Sequence, residues 1–134
     1  METAQVIYTG NLHTEAIHVR SKTKIETDAP VDNQGKGEAF SPTDLLATSL
    51  ATCMVTTMGI AGRTHNIIIN GAKIKVTKVM TSNPRRVSEV HVELEMPKKN
   101  YSEKEKNILE NAARTCPVAL SLHPDIKQVM KFFY

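Results

Sequence analysis

Two periodicities of apolar and polar positions organise the chain. Near the N-terminus AQVIYTGN, EAIHVRS and TKIETDAP read as short strands separated by turn residues, with alternation clearest at His18–Arg20 and Lys24–Thr27. DAPVDNQGKGEAFSP, rich in glycine and proline, is the longest loop, and long loops in compact domains are often functional. Farther on, GAKIKVTKVM alternates from Ala72 to Val79, and RVSEVHVELEM places Val87, Val90, Val92, Leu94 and Met96 on one face. With TSNPR as the turn, these two segments predict a half-buried antiparallel hairpin. YSEKEKNILENAARTCPV opens with a capping box, Ser102 to Glu105, and carries Ile108, Leu109, Ala112, Ala113 and Cys116 on one helical face. Pro117 interrupts or restarts that helix, and DIKQVMKFFY predicts a terminal strand.

Between the N-terminal strands and the hairpin, the 18 residues Leu45–Gly62 contain no carboxylate or amine side chain. That length raises the question of a membrane span. The stretch is weakly apolar, however, holding Thr48, Ser49, Thr52, Thr56, Thr57 and Gly59. Its start, SPTD, carries an aqueous helix signature, with Ser41 as N-cap, Pro42 at the first helical position and Asp44 completing a capping box. Leu45, Leu46, Leu50, Cys53, Met54, Met58 and Ala61 recur near helical spacing, and Arg63 and His65 suit the C-terminal end of the helix dipole. This is a long core helix. The predicted fold is α+β in a single domain, residues 1–134: N-terminal antiparallel strands, long central helix, β-hairpin, second helix and C-terminal strand. A helix apolar on nearly every side needs more cover than so short a chain supplies, which makes a homodimer the expected assembly.

Composition narrows the function classes. With 40% hydrophobic and 23% charged residues the chain is globular rather than disordered. METAQVIYTGN lacks the basic and apolar segments of a secretory signal, so a cytoplasmic location is expected, with no membrane partner. The net charge of +3 is scattered, and NPRRV and PKKN, the densest basic spots, sit among turn residues without a nucleic-acid module. No nucleic-acid partner is expected. His13, His18, His65, His91 and His123 do not cluster at ligand spacing, and Cys53 and Cys116 form no CxxC signature, so neither a metal nor a cofactor is expected. His65 is a helix-terminal residue and His123 a turn residue before Pro124; no acid accompanies them in the pattern of a Cys–His hydrolase.

Candidate chemistry therefore rests on the cysteines. A free cysteine on an apolar helix usually behaves as a small hydrophobe. Cys53 also lies 12 residues beyond Ser41, too far for the helix dipole to ionise it. A free thiol titrates near pH 8.5, so half ionisation at pH 7 needs about 2 kcal/mol of preferential stabilisation of the thiolate. One guanidinium within about 4–6 Å supplies that, while desolvation opposes it. A reactive Cys53 thus needs an imported cation, and Arg20 is the only arginine that precedes the helix.

TDAPVDNQGKGEAFSPTDLLATSLATC and ENAARTCPVALSLHP together resemble the OsmC/Ohr family of thiol-dependent peroxidases. The likeness runs from about Tyr8 to Phe133 in matching element order. It implies an intertwined homodimer with active sites at the subunit interface. Cys53 falls at the peroxidatic position, where its thiolate reduces an organic hydroperoxide and becomes a sulfenic acid. Cys116 falls at the resolving position, and a thiol or lipoyl-type dithiol would restore the pair. Arg20 is the candidate activating cation. Hydroperoxide-resistance members carry a glutamate ten residues before the cysteine, paired with an essential arginine; here that position is Thr43, with Asp44 beside it. The alternative is an OsmC-like protein that binds a small ligand in the same pocket without efficient turnover.

Overall fold

The computed structural model describes Met1–Tyr134, which divide into two compact units, Met1–Leu45 and Leu46–Tyr134. In the first unit β1 (Ala4–Gly10), β2 (His13–His18) and β3 (Lys24–Asp28) form an antiparallel sheet in the order β1-β2-β3. Strand β2 stops earlier than its alternation suggested. Val19 and Arg20 belong to the turn into β3, where the His18 N–H donates to the Thr23 carbonyl at 2.8 Å and the Lys22 N–H to the His18 carbonyl at 2.8 Å. Lys22, at φ 64°, closes that turn, so Arg20 is an exposed turn residue and not a strand residue.

The loop after β3 is built on close backbone approach. The Gly37 N–H donates to the Ala29 carbonyl at 3.3 Å and the Gly35 N–H to the Pro30 carbonyl at 2.9 Å. A β-carbon at Gly35 would lie 1.7 Å from the Ala29 carbonyl oxygen, so only glycine fits there. Beyond the loop, Ser41 and Asp44 form the expected capping box. The Asp44 N–H donates to Ser41 Oγ at 3.1 Å, and the Ser41 N–H returns to Asp44 Oδ2 at 2.9 Å. They start α1 (Pro42–His65), whose first turn lies in the first unit.

In the second unit α1 continues as a core helix. Leu50, Met54 and Met58 share one buried cluster with Val90, Val92 and Leu94 of β5, Leu109 and Ala113 of α2, and Cys116. By length and composition alone α1 could cross a membrane, but its buried residues belong to this core. Its hydroxyls bond back to the helix: Ser49 Oγ donates to the Leu46 carbonyl at 2.7 Å and Thr57 Oγ1 to the Cys53 carbonyl at 2.7 Å.

Strands β4 (Lys73–Thr81) and β5 (Arg86–Glu95) are the antiparallel hairpin, and β6 (Lys127–Phe133) adds beside β5 in parallel, giving the order β4-β5-β6. Val87, Val90, Val92, Leu94 and Met96 are buried as the pattern required. Val79 is not on their face. It pairs with Glu89, and the register shift places Met80 opposite Val87, leaving Ser88 as the extra residue of a bulge. Ser88 Oγ donates to the Val79 carbonyl at 3.0 Å across it. Helix α2 (Glu103–Arg114) carries the Ser102/Glu105 capping box, and α3 (Pro117–Ser121) restarts the helical path at Pro117. The fold is α+β, with two three-stranded sheets and α1 between them in sequence.

Candidate functional site

The two thiols come together in the second unit. Cys53, midway along α1, is half-buried and packs against the core; Cys116 is fully buried. They are near enough for the charge of Cys53 to act on the Cys116 thiol. Cys116 is held by the turn that Pro117 enforces. At φ −65° and ψ 150° it is the extended N-cap of α3, and its Sγ accepts the Ala119 N–H at 3.4 Å. Burial pushes the Cys116 thiol above its ordinary pKa; the Ala119 N–H opposes this, and the neighbouring Cys53 reinforces burial. Cys116 therefore keeps its proton above the ordinary thiol range.

That balance has a measurable consequence. A thiol whose folded pKa is raised contributes stability below its unfolded pKa and loses it as pH rises through the folded one. Stability of the reduced protein should fall as pH climbs above about 9. Iodoacetamide at pH 8 should label Cys53 before Cys116, with Cys116 reacting only as the chain unfolds. Peptide mass mapping of a time course checks this, and equal labelling rates would refute the buried assignment.

In the first unit the other candidates are set differently. Arg20 stands exposed in the β2–β3 turn. Thr43 Oγ1 lies 3.2 Å from Ser41 Oγ, and Asp44 spends a carboxylate oxygen on the helix cap. The sequence pattern missed a second polar constellation. Asp28, 4% exposed, places Oδ1 at 2.6 Å from His13 Nδ1, and its Oδ2 accepts the Glu38 N–H at 3.1 Å. The hydrogen bond to Asp28 raises the His13 pKa, and the same bond holds the Asp28 carboxyl below the usual carboxylate range. Asp28 thereby ties β2 to the later part of the loop after β3. His13 and Asp28 sit 15 residues apart, and only the strand register makes them neighbours.

The family model for OsmC-like proteins matches residues 35–130, a span that contains both cysteines and the whole of α1. The chain belongs to the OsmC-like family. A Psychrobacter arcticus protein provisionally assigned to an osmotic stress induced and detoxification response is 56% identical over 98% of this chain and 96% of that one, with a TM-score of 0.94. An organic hydroperoxide resistance protein OsmC from Legionella pneumophila superposes with a TM-score of 0.75 at 14% identity, covering 100% of this chain and 98% of its own. An organic hydroperoxide resistance protein from Elizabethkingia anophelis gives 0.73 at 17% identity, covering 99% and 96%. At these lower identities the likeness is one of fold. No curated protein matches the chain to significance. Cys53 and Cys116 meet on one core cluster, while Ser41 and Asp44 form the cap of α1.

Proposed function

We propose that this OsmC-like protein is a thiol peroxidase for organic hydroperoxides, with Cys53 as the peroxidatic and Cys116 as the resolving cysteine. The observation that carries the reading is that half-buried Cys53 packs on the same core cluster as buried Cys116, near enough for its charge to bear on the Cys116 thiol. The Cys53 thiolate attacks the terminal oxygen of ROOH; the O–O bond breaks, Cys53 becomes a sulfenic acid, and the alkoxide leaves as ROH after taking a proton. The Cys116 sulfur then attacks the sulfenate, and the S–O bond gives way to a disulfide with release of water. An external dithiol, of thiol or lipoyl type, returns both sulfurs, and no metal or bound cofactor enters the cycle. Such a disulfide is transient and suits a reducing cytoplasm.

Arg20 is the cation this reading assigns to the thiolate. Arg20→Ala on a Cys116→Ser background is then expected to raise the pH at which Cys53 alkylates. The same reading expects a homodimer, for which Val6, Ile7 and Tyr8 of β1 and Ile60 of α1, each about 60% exposed, offer apolar surface. Sedimentation at micromolar concentration should give twice the 14.9 kDa chain mass.

The test of function is consumption of cumene hydroperoxide in excess over protein, with dihydrolipoamide as reductant. Multiple turnovers support the peroxidase. Thr43 favours a second reading, because it brings no charge where hydroperoxide-resistance members have a glutamate, and an arginine would be less firmly aimed. On that reading the protein binds a small apolar or electrophilic molecule at Cys53, and peroxide consumption stops at a single equivalent.

A further inference from the structure

We infer that His13, Glu15 and Glu26 form a binding site for a divalent transition-metal ion on the β2–β3 ribbon. Antiparallel register sets His13 opposite Asp28 and Glu15 opposite Glu26, and the two-residue repeat of a strand puts His13 and Glu15 on the same face. One ligand atom from each of His13, Glu15 and Glu26 lies within 4.8 Å of the others. Ligands bound at about 2.0–2.2 Å in a tetrahedral or octahedral shell are roughly 3–4.4 Å apart. His13 Nε2 and Glu26 Oε1 stand 3.4 Å apart, inside that range.

What separates this cluster from ordinary surface charge is the support behind the imidazole. Buried Asp28 holds His13 Nδ1 at 2.6 Å and is itself fixed by the Glu38 N–H. With Nδ1 engaged, Nε2 is the nitrogen turned to the glutamates. A carboxylate bonded to the far nitrogen is the arrangement that orients and strengthens a metal-binding histidine. His13 and Glu26 also line a cavity of about 370 Å³ together with Thr9, Lys36 and Glu38, which leaves room for water to complete the shell. The carboxylates of Glu15, Glu26 and Asp28 outnumber the two ammonium groups that bear on them, Lys24 and Lys36. Lys24 Nζ, at 3.0 Å from Glu15 Oε1, is half exposed and free to swing out when a cation enters. One imidazole with two carboxylates suits zinc, cobalt, nickel or manganese rather than calcium, which takes oxygen alone.

Cobalt(II) titration of the tag-free, reduced full-length protein at pH 7.5, followed by visible absorption, tests the site. The expected result is one equivalent bound per chain, with visible ligand-field bands and without the near-ultraviolet thiolate band that binding at Cys53 or Cys116 would produce. His13→Gln and Glu26→Gln should each weaken binding at least tenfold; Glu26 is exposed, so its variant keeps the fold. Circular dichroism confirms that it does. Absence of saturable binding up to millimolar cobalt, a dominant thiolate band, or an affinity unmoved by Glu26→Gln would each overturn the inference.

Discussion

Cys53→Ser is expected to abolish hydroperoxide turnover, and Cys116→Ser to leave the first reaction intact while destroying the cycle. On the proposed peroxidase reading, the two effects differ because Cys53 meets the peroxide and Cys116 only resolves the sulfenate. Without Cys53 the remaining thiol is fully buried and held neutral, with its sulfur accepting the Ala119 N–H, so it offers peroxide neither access nor charge. Without Cys116 the Cys53 sulfenate forms but meets no second thiol, and further peroxide drives it to sulfinic and sulfonic acid. Peptide mass spectrometry after one equivalent of cumene hydroperoxide should show a Cys53–Cys116 disulfide in the wild type. In Cys116→Ser it should show Cys53 heavier by oxygen, and in Cys53→Ser no change. Residual turnover in Cys53→Ser above a hundredth of wild type would sink the assignment. The serine at 116 has a further interest, since its hydroxyl can still accept the Ala119 N–H as N-cap of α3. Loss of activity in that variant then reflects missing sulfur chemistry and not a collapsed turn.

The part of this architecture legible in the chain was the part written locally. Both capping boxes formed as their four-residue patterns required, because Ser41 with Asp44 and Ser102 with Glu105 satisfy backbone donors within one turn. The buried face of β5 followed from alternation. Where local rules met tertiary ones, the pattern failed in instructive places. Val79 reads as a core residue by type, yet Ser88 is accommodated as a bulge in the facing strand, so Met80 takes the position opposite Val87. Arg20 continues an alternating stretch on paper, but the turn bonds of His18 to Thr23 and Lys22 end the strand before it. Local periodicity carries no information about which strands pair, so neither the parallel docking of β6 on β5 nor the His13–Asp28–Glu38 constellation could be read from it. The same holds for the cysteines. Family resemblance marked both positions, but their meeting depends on Pro117 turning the chain after α2 while α1 runs through the same core.

That shared core makes Leu50→Ala the stability change with the largest expected cost. Leu50 is wholly buried on α1, in the cluster that also contains Met54, Leu94, Leu109, Ala113 and Cys116. Truncation removes the transfer energy of the lost methyl groups and leaves a cavity that the surrounding core cannot fully close; such changes cost about 2–5 kcal/mol. Against a typical domain stability of about 5–15 kcal/mol this is a large fraction. Urea unfolding of the reduced protein at fixed concentration should show the midpoint fall with little change in slope. Thr52→Ala, two residues along and exposed on the same helix, should stay within about 0.5 kcal/mol of wild type. Its hydroxyl gives up only the bond to the Ser49 carbonyl at 3.1 Å, which water replaces. Because Cys116 lies in the damaged cluster, Leu50→Ala should also speed its alkylation under native conditions, while Cys53, already half-exposed, changes little. A Leu50→Ala protein that lost less than about 1 kcal/mol would mean that α1 does not anchor this core as its burial indicates. Protection of the Cys116 sulfur would then have to come from the α3 turn alone.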